Sequence, residues 1–209
     1  MEKIDLFPSQ LVQRQIFTID NGILANQILN FESEDPGRKI SNYGGYQSNN
    51  INFKNFSDEL IMLVDEFLST ARALATSYRI KHKIMLGNLW FNVNRTGAFN
   101  APHRHPNSFC SLVYYVSTPE KSGNIVFKNP IQNLYAHIEP EDANLFNTHN
   151  SSIWSVVPES GKILAFPSWL EHYVEPNFSQ EPRISISANV VIEQTIHSFF
   201  ESLTKGPKA

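Results

Sequence analysis

Two histidines one residue apart, His103 and His105, stand in the stretch GAFNAPHRHPNSF between a glycine-asparagine turn and a proline. Side chains at positions i and i+2 of an extended segment point to the same side, so imidazoles spaced in this way can bind one metal ion. A third histidine, His172, follows the apolar run KILAFP much further along the chain. Single histidines are more often solvated or hydrogen-bonded than metal-bound, so this spacing permits a metal site without requiring one.

A second group of candidate residues begins the late run RISISANVVIE. In a strand of period two, Arg183 and Ser185 share one face, and Ile184 and Ile186 share the other. A polar face on a late strand of a small β domain indicates an interior that holds a ligand. An inward-facing arginine needs an anion, because an unpaired buried charge is costly. A guanidinium group and a hydroxyl group on one face suit a carboxylate.

The second half of the chain, which would have to position these residues, is typical of an antiparallel sandwich or barrel. Short β-rich runs follow Lys83 and are separated by Pro, Gly, Asn and Ser, as expected of strands joined by turns. The runs are IMLGNLWFNVN, SLVYYVS, NIVFKNP, IWSVVP, KILAFP and RISISANVVIE. We therefore expect a mainly β domain that begins near residue 83.

The first third of the chain reads as helical. Asp20 is predicted to cap a helix through NGILANQIL, and Ser57 to cap a longer helix that reaches about Tyr78. Apolar side chains at helical spacing give each helix a face for packing on a sheet. These faces comprise Ile23, Leu24, Ile28 and Leu29 in the first helix, and Leu60, Leu63, Val64, Phe67, Leu68, Ala71, Leu74 and Ala75 in the second.

Composition and charge exclude several classes of protein. The chain has 209 residues, of which 41% are hydrophobic and 18% charged, and its formal net charge is −3. A chain of this size can bury a substantial core, and the lack of a basic field argues against binding to nucleic acid. We expect one domain over residues 1–209, with helical support over 1–82 and a β core over 83–195.

The single cysteine, Cys110, limits which metal sites the protein can have and in which compartment it is expected. It cannot form an intramolecular disulfide, and it excludes a zinc or iron–sulfur site built from several thiolates. No apolar run has the length of a membrane helix, and the first ten residues lack the hydrophobic stretch of a signal peptide. We expect a cytoplasmic protein without a membrane partner, in which Cys110 is a small core residue.

In the order of its motifs, the chain resembles the Fe(II)/2-oxoglutarate-dependent dioxygenases, most closely a small branch found in bacteria and phages. Gly97, Asn100, His103 and His105 keep the spacing of the prolyl-hydroxylase-like pattern, in which a histidine and an acidic residue are separated by one position. The phrases HRHP, LVYYV, GNIVFKNP, GKILAFPSWLEH and RISISANV resemble the consensus of that branch, and SNYGGYQSNN resembles its upstream motif. The resemblance therefore spans most of the chain.

The resemblance implies a fold, an activity and a set of site residues. The fold would be a double-stranded β-helix, a jelly-roll or cupin-like barrel of two antiparallel sheets with the helices outside. The activity would be hydroxylation of an unidentified small molecule or peptide, with O2 consumed and 2-oxoglutarate decarboxylated to succinate. The expected partners are that substrate and, in a homodimer, a second copy of the chain. His103, His105 and His172 would bind Fe(II), and Arg183, Ser185 and Tyr115 would bind 2-oxoglutarate.

One departure keeps other functions open. Most relatives have an aspartate or glutamate where this chain has His105, so the metal would be bound by three neutral imidazoles. Glu171 is a less favoured substitute, because adjacent strand residues face opposite sides. The alternatives are a non-oxidative cupin-like protein that binds a metal and a small ligand, and a metal-free binding module with structural histidines. Predicted pocket residues are Asn92, Asn94, Tyr114 and Trp169, with the loop Asn129 to Ser152 and the GGYQS region at the mouth.

Overall fold

The computed structural model describes residues 1–2, 8–131 and 146–193. Helices and strands within these ranges follow the order expected from the sequence, with additional short strands. They are β1 (Val12–Gln15), α1 (Asn21–Glu34), β2 (Asn42–Tyr43), β3 (Tyr46–Gln47), a 3-10 turn (Phe53–Asn55), α2 (Asp58–Ser77), β4 (Ile84–Asn94), β5 (Phe99–His103), β6 (Cys110–Ser117), β7 (Ile125–Lys128), β8 (Ile153–Val156), β9 (Lys162–Pro167), β10 (His172–Val174) and β11 (Arg183–Ile192).

The strands form two antiparallel sheets, as in a double-stranded β-helix. The larger sheet has the order β1-β9-β6-β11-β4-β3, and the smaller has the order β2-β5-β10-β7-β8. Across the described residues the two sheets do not join into a closed hydrogen-bonded barrel, so the prediction of a barrel holds only as two facing sheets. No described helix is both long and apolar enough to cross a membrane.

The central strand β11 separates the two sides of the larger sheet. Ile184, Ile186 and Ala188 are at most 2% exposed and belong to the core that the helices cover. The polar side chains between them point to the opposite face, as their alternation predicted. Because β11 pairs with β4 on one side and β6 on the other, this polar face is held rigidly.

Both predicted helices are present. The Asp20 carboxylate accepts hydrogen bonds from the backbone N–H of Gly22 and Ile23 at 2.8 and 3.2 Å, which confirms its capping role. Ser57 occupies the cap position of α2, but its hydroxyl bonds to the Gln27 side chain instead. The stripe of α2 is buried except for the partly buried Leu68. Placing Ile23 on the buried face of α1 was wrong. Leu24 and Ile28 form that face and are buried, whereas Ile23 is 44% exposed.

The described part of the first 82 residues also contributes three strands that periodicity did not predict. β1 adds to β9 at one edge of the larger sheet. β2 pairs with β5 in the smaller sheet, whereas β3 pairs with β4 in the larger one. The turn between them, Gly44–Gly45, therefore crosses from one sheet to the other, and Gly44 has a left-handed φ of +69° that favours glycine. The helical description of residues 1–82 was incomplete because β2 and β3 have two residues each and β1 only four, which is too short for a clear periodic signal.

Candidate metal centre and the cavity around it

A cavity of about 210 Å³ that many polar side chains line lies between the two sheets. The larger sheet contributes the polar face of β11 together with side chains of β4 and β6, and the smaller sheet contributes β5, β7 and β10. The lining residues that matter below are Arg38, Ser41, Gln47, Trp90, Asn92, Asn100, His103, Arg104, His105, Tyr115, Phe166, His172, Arg183, Ser185, Ser187 and Asn189. The prediction of a ligand-holding interior therefore agrees with the structure.

The structure brings the three predicted histidines together. His103 ends β5 and His172 begins β10, and the antiparallel register places the two residues opposite each other. His105 lies two residues beyond β5, where its backbone N–H donates to the Ser168 carbonyl at 2.9 Å. One ring nitrogen from each histidine lies within 4.8 Å of the other two. This spacing suits three ligands of one metal ion.

Hydrogen bonds fix the tautomers of two of the three rings. Nδ1 of His103 lies 2.8 Å from the Ala101 carbonyl, and Nδ1 of His172 lies 2.9 Å from the Leu170 carbonyl. A carbonyl can only accept, so each Nδ1 carries the hydrogen and each Nε2 keeps its lone pair. Orienting a ligand imidazole through its other nitrogen is the usual arrangement at metal sites.

Burial keeps the three imidazoles neutral. It lowers the pKa of His172 to about 3 and that of His105 to about 4, and the charge of His103 adds to both shifts. Burial also lowers the pKa of His103, against the opposing effect of its bond to the Ala101 carbonyl. Near neutral pH all three side chains therefore present lone pairs rather than protons, as metal ligands must. Imidazole suits iron, zinc, nickel and copper, so these residues fit the Fe(II) expected here.

Aromatic rings surround the histidines. Phe166 packs edge-on against His172 at a centroid distance of 4.7 Å, and Phe127 lies 6.0 Å from the same ring. Trp90 lies 5.6 Å from His105. Apolar rings around a metal site limit the access of water and lower the local dielectric constant.

Glu171 does not belong to this cluster. Its carboxylate lies 2.7 Å from Lys128 Nζ and 3.3 Å from a guanidinium nitrogen of Arg104. It is not among the residues whose ligand atoms converge with those of the histidines. Two cationic side chains therefore engage this carboxylate, and the lower ranking of Glu171 as a metal ligand stays a prediction.

The predicted cosubstrate residues lie together on the larger sheet. Arg183 is 3% exposed, and its NH1 group donates to the carbonyls of Ser122 and Gly123 at 2.8 and 3.1 Å. Ser185 pairs with Tyr115 on the neighbouring strand, and both side chains line the cavity. Burial lowers the pKa of Arg183, although the charges of Tyr115 and Glu175 oppose that shift.

Arg183 has no ion-pair partner among the described carboxylates. Its backbone acceptors hold one guanidinium nitrogen in place, and the group remains cationic because an arginine guanidinium is not deprotonated in proteins. An anion that enters the cavity would therefore meet an oriented positive charge that forms no salt bridge with a described carboxylate.

Other predicted pocket residues divide between the two faces of the sheets. Asn92 lines the cavity. Asn94 is buried and bonds to the Asn100 side chain instead. Tyr114 points into the helix-covered core, where its hydroxyl bonds to Asn21, because it alternates with Tyr115. Trp169 is 50% exposed and does not line the cavity.

Three further predictions concern Cys110 and the mouth. Cys110 is a buried core residue, as expected. Gln47 of the GGYQS region lines the cavity, but most of the loop from Asn129 to Ser152 lies outside the described residues. The sequence analysis did not identify Arg38 and Ser41, which line the cavity from the turn-rich stretch before β2. The one signal available was that these residues lie at or just before the start of SNYGGYQSNN, the stretch that resembles the family's upstream motif.

Comparisons with known proteins place this architecture. Residues 88–189, about half of the chain, match the family described as "Putative 2OG-Fe(II) oxygenase". This range runs from β4 to β11 and includes all three histidines, Tyr115, Arg183 and Ser185. No functionally curated protein matches the chain significantly.

Solved structures share the fold at low sequence identity. A prolyl-4-hydroxylase from Pseudomonas putida has a TM-score of 0.62 and 15% identity, over 88% of this chain and 92% of that one. A prolyl hydroxylase from Trichoplax adhaerens, in complex with a hypoxia inducible factor peptide fragment, has a TM-score of 0.62 and 12% identity, over 90% and 86%. HygX from Streptomyces hygroscopicus, with nickel and 2-oxoglutarate bound, has a TM-score of 0.60 and 9% identity, over 88% and 84%.

Proposed function

We propose that this chain, which belongs to the Fe(II)/2-oxoglutarate-dependent oxygenases, hydroxylates a small molecule or peptide while 2-oxoglutarate is decarboxylated to succinate. Fe(II), 2-oxoglutarate and O2 are the metal and cosubstrates of this family. One observation carries the proposal for these particular residues. A single cavity holds three convergent neutral imidazoles and a buried arginine without a described carboxylate partner.

His103, His105 and His172 would hold the iron. When bound, the iron supplies the redox chemistry that couples decarboxylation of 2-oxoglutarate to oxidation of the substrate. The protein contributes ligand geometry, because the carbonyls of Ala101 and Leu170 fix two of the imidazoles before any metal arrives. Three protein ligands would leave coordination positions for the cosubstrate and oxygen. The surrounding aromatic rings would keep bulk water from the reacting groups.

Arg183 would bind the carboxylate of 2-oxoglutarate that lies farther from the metal. Its NH1 group is already held by two backbone carbonyls, so the orientation of the guanidinium plane costs little on binding. The hydroxyl of Ser185, on the same face of β11, would donate a further hydrogen bond. Burial raises the pKa of Tyr115, so its phenol would remain a neutral donor beside the same carboxylate.

The proposal also covers the setting of the enzyme. We take residues 1–209 as one domain, because α1 and α2 bury their apolar faces against the larger sheet. The single buried Cys110 agrees with a reducing compartment such as the cytoplasm. A homodimer remains part of the proposal and is measurable by light scattering.

The experiment that tests the function is an anaerobic titration of the purified protein with Fe(II) and 2-oxoglutarate. Chelation of 2-oxoglutarate by the bound iron gives a weak visible charge-transfer band, so one spectrum reports both binding events. His172→Ala should abolish iron binding, because a site with three protein ligands loses most of its affinity with one of them. His82→Ala, at an exposed histidine, is the matched control and should retain the band.

The outcomes separate the candidate functions. Iron binding without any effect of 2-oxoglutarate would favour the non-oxidative cupin-like protein. The observation that favours this second candidate is the set of three histidine ligands without a carboxylate. A protein that binds no iron would be a metal-free binding module. Iron stoichiometry unchanged by His172→Ala would refute the assignment of that histidine.

A further inference from the structure

One guanidinium group in the cavity wall has an unsatisfied hydrogen-bond donor. Arg38 lies between α1 and β2 and lines the same cavity as the three histidines. Its Nε is shielded from solvent and bonds to no acceptor among residues 1–2, 8–131 and 146–193, and no other side-chain nitrogen or oxygen of these residues is in that state. A buried donor without an acceptor is costly. If the Arg38 side chain turned toward the cavity that it lines, a ligand oxygen could contact Nε and remove that cost.

The backbone around Arg38 is fixed. Its N–H donates to the Gln47 carbonyl at 2.8 Å, and its carbonyl accepts from the Asn42 side chain at 3.2 Å. The preceding Gly37 has a left-handed φ of +64°, and its N–H donates to the Asp35 carboxylate at 3.0 Å. A Cβ atom at position 37 would lie only 2.8 Å from the Gln47 carbonyl oxygen. The loop therefore holds Arg38 at the cavity by several independent contacts, although its Nε gains no partner there.

The charge of the cavity has one sign. Its lining includes three arginines, Arg38, Arg104 and Arg183, and no described aspartate or glutamate. Arg104 is compensated by Glu171 at 3.3 Å. Arg183 is the residue assigned to 2-oxoglutarate. Because the histidine ligands are neutral, a divalent ion and the dianionic cosubstrate would cancel each other. The charges of Arg183 and Arg38 would then both remain, and only Arg183 is assigned a carboxylate of the cosubstrate.

We propose that the substrate carries a carboxylate or phosphate group and that Arg38 binds it. This inference rests on the proposed function, because it takes Arg183 as the arginine of the cosubstrate. A guanidinium fork binds either anion through two parallel hydrogen bonds. Ser41 and Gln47 line the same wall and offer a hydroxyl and an amide to the remaining oxygens. Arg38 is thus the specificity-determining residue for an anionic substrate.

Small anions test this directly, because they need no knowledge of the substrate. Acetate and methyl phosphate are titrated by calorimetry into anaerobic protein loaded with Fe(II) and saturated with 2-oxoglutarate, so that Arg183 is already occupied. At least one probe should bind, and Arg38→Gln should weaken that binding at least about tenfold, as expected for loss of a charge-assisted pair. Arg79→Gln, at an exposed arginine outside the cavity, is the matched control and should leave it unchanged. The tighter probe identifies the substrate group as carboxylate or phosphate.

Two further measurements on Arg38→Gln separate recognition from structural support. The variant should bind 2-oxoglutarate as tightly as the unmodified protein, and its thermal midpoint should not fall, because a buried unsatisfied donor has been removed. The inference is overturned if neither anion binds the unmodified protein, or if both bind Arg38→Gln equally well. A lowered midpoint together with weakened 2-oxoglutarate binding would likewise overturn it and make Arg38 structural.

Failure of the proposed function would look different. In that case the visible band would be missing from the unmodified protein. The same anion titrations on metal-free protein would still decide the role of Arg38. They would compare Arg183→Gln with the double variant Arg183→Gln/Arg38→Gln, so that Arg183 cannot bind the probe in either protein.

Discussion

Replacing Arg183 by alanine should weaken 2-oxoglutarate binding far more than it weakens iron binding. Arg183 is 3% exposed, and the described hydrogen bonds of its guanidinium group go to two backbone carbonyls. In the complex it would form a desolvated pair with a carboxylate. Truncating one partner of such a pair costs about 2–5 kcal/mol, or roughly thirty- to several-thousand-fold in affinity. Iron affinity should stay nearly constant, because no metal ligand is changed.

The same contacts predict a graded result for a conservative variant. Arg183→Lys keeps the charge, but an ammonium group cannot both reach the Ser122 and Gly123 carbonyls and present a planar fork to a carboxylate. It should therefore recover only part of the lost affinity. Arg79→Ala, at an exposed position, should behave like the unmodified protein.

Calorimetry on anaerobic, iron-loaded protein measures these affinities, and the visible charge-transfer band checks that the metal is present. A Kd for 2-oxoglutarate in Arg183→Ala within threefold of the unmodified value would refute the reasoning. In that case the arginine would serve only to hold the two carbonyls, and the cosubstrate would bind elsewhere in the cavity.

Three other predictions concern the metal site, the arginine anchor and the core. His105→Asp should retain iron but bind 2-oxoglutarate more weakly, since it adds a negative charge, whereas equal iron affinity in His105→Ala would contradict a three-histidine site; both are measured in the titration above. Gly123→Ala should weaken 2-oxoglutarate binding without changing Arg183 itself, because a Cβ atom at φ +83° would collide with a neighbouring carbonyl and displace the anchor; normal affinity would exclude this anchoring role. Phe67→Ala, at a fully buried position of α2, should lower the free energy of unfolding in urea by about 3–5 kcal/mol, and a loss below 1 kcal/mol would mean that the helix packs loosely.

Local periodicity explains which parts of this structure the sequence could predict. The alternation of β11 depends only on a period of two, so the sequence alone could predict that Arg183 and Ser185 point to the same, inward side of the strand. The apolar stripe of α2 was readable for the same reason, at a period of 3.6 residues. Tyr114 shows the limit, because two adjacent tyrosines fix opposite faces but not which of them is inside.

Contacts between residues that are far apart in the sequence could not be predicted from local periodicity. His105 lies in a loop beyond β5, and its place beside His172 depends on β5–β10 pairing and on a backbone bond to Ser168. Arg38 lies in a turn-rich stretch without periodicity, and it reaches the cavity because β2 and β3 pair with different sheets. Such positions follow from the assembled fold rather than from spacing.

The histidine at position 105 and the cationic cavity have a common electrostatic consequence. An aspartate or glutamate at position 105 would add a negative charge beside the metal, among buried groups. Two like charges about 6 Å apart repel by roughly 3 kcal/mol at an effective dielectric constant of 20. That repulsion would act on 2-oxoglutarate and on any anionic substrate that Arg38 binds. Three neutral imidazoles avoid this repulsion. No described aspartate or glutamate lines the cavity, and Arg38 and Arg183, unlike Arg104, form no salt bridge with a described carboxylate. A three-histidine site is therefore suited to hold two anions side by side, which is the arrangement that a dianionic cosubstrate and an anionic substrate would require.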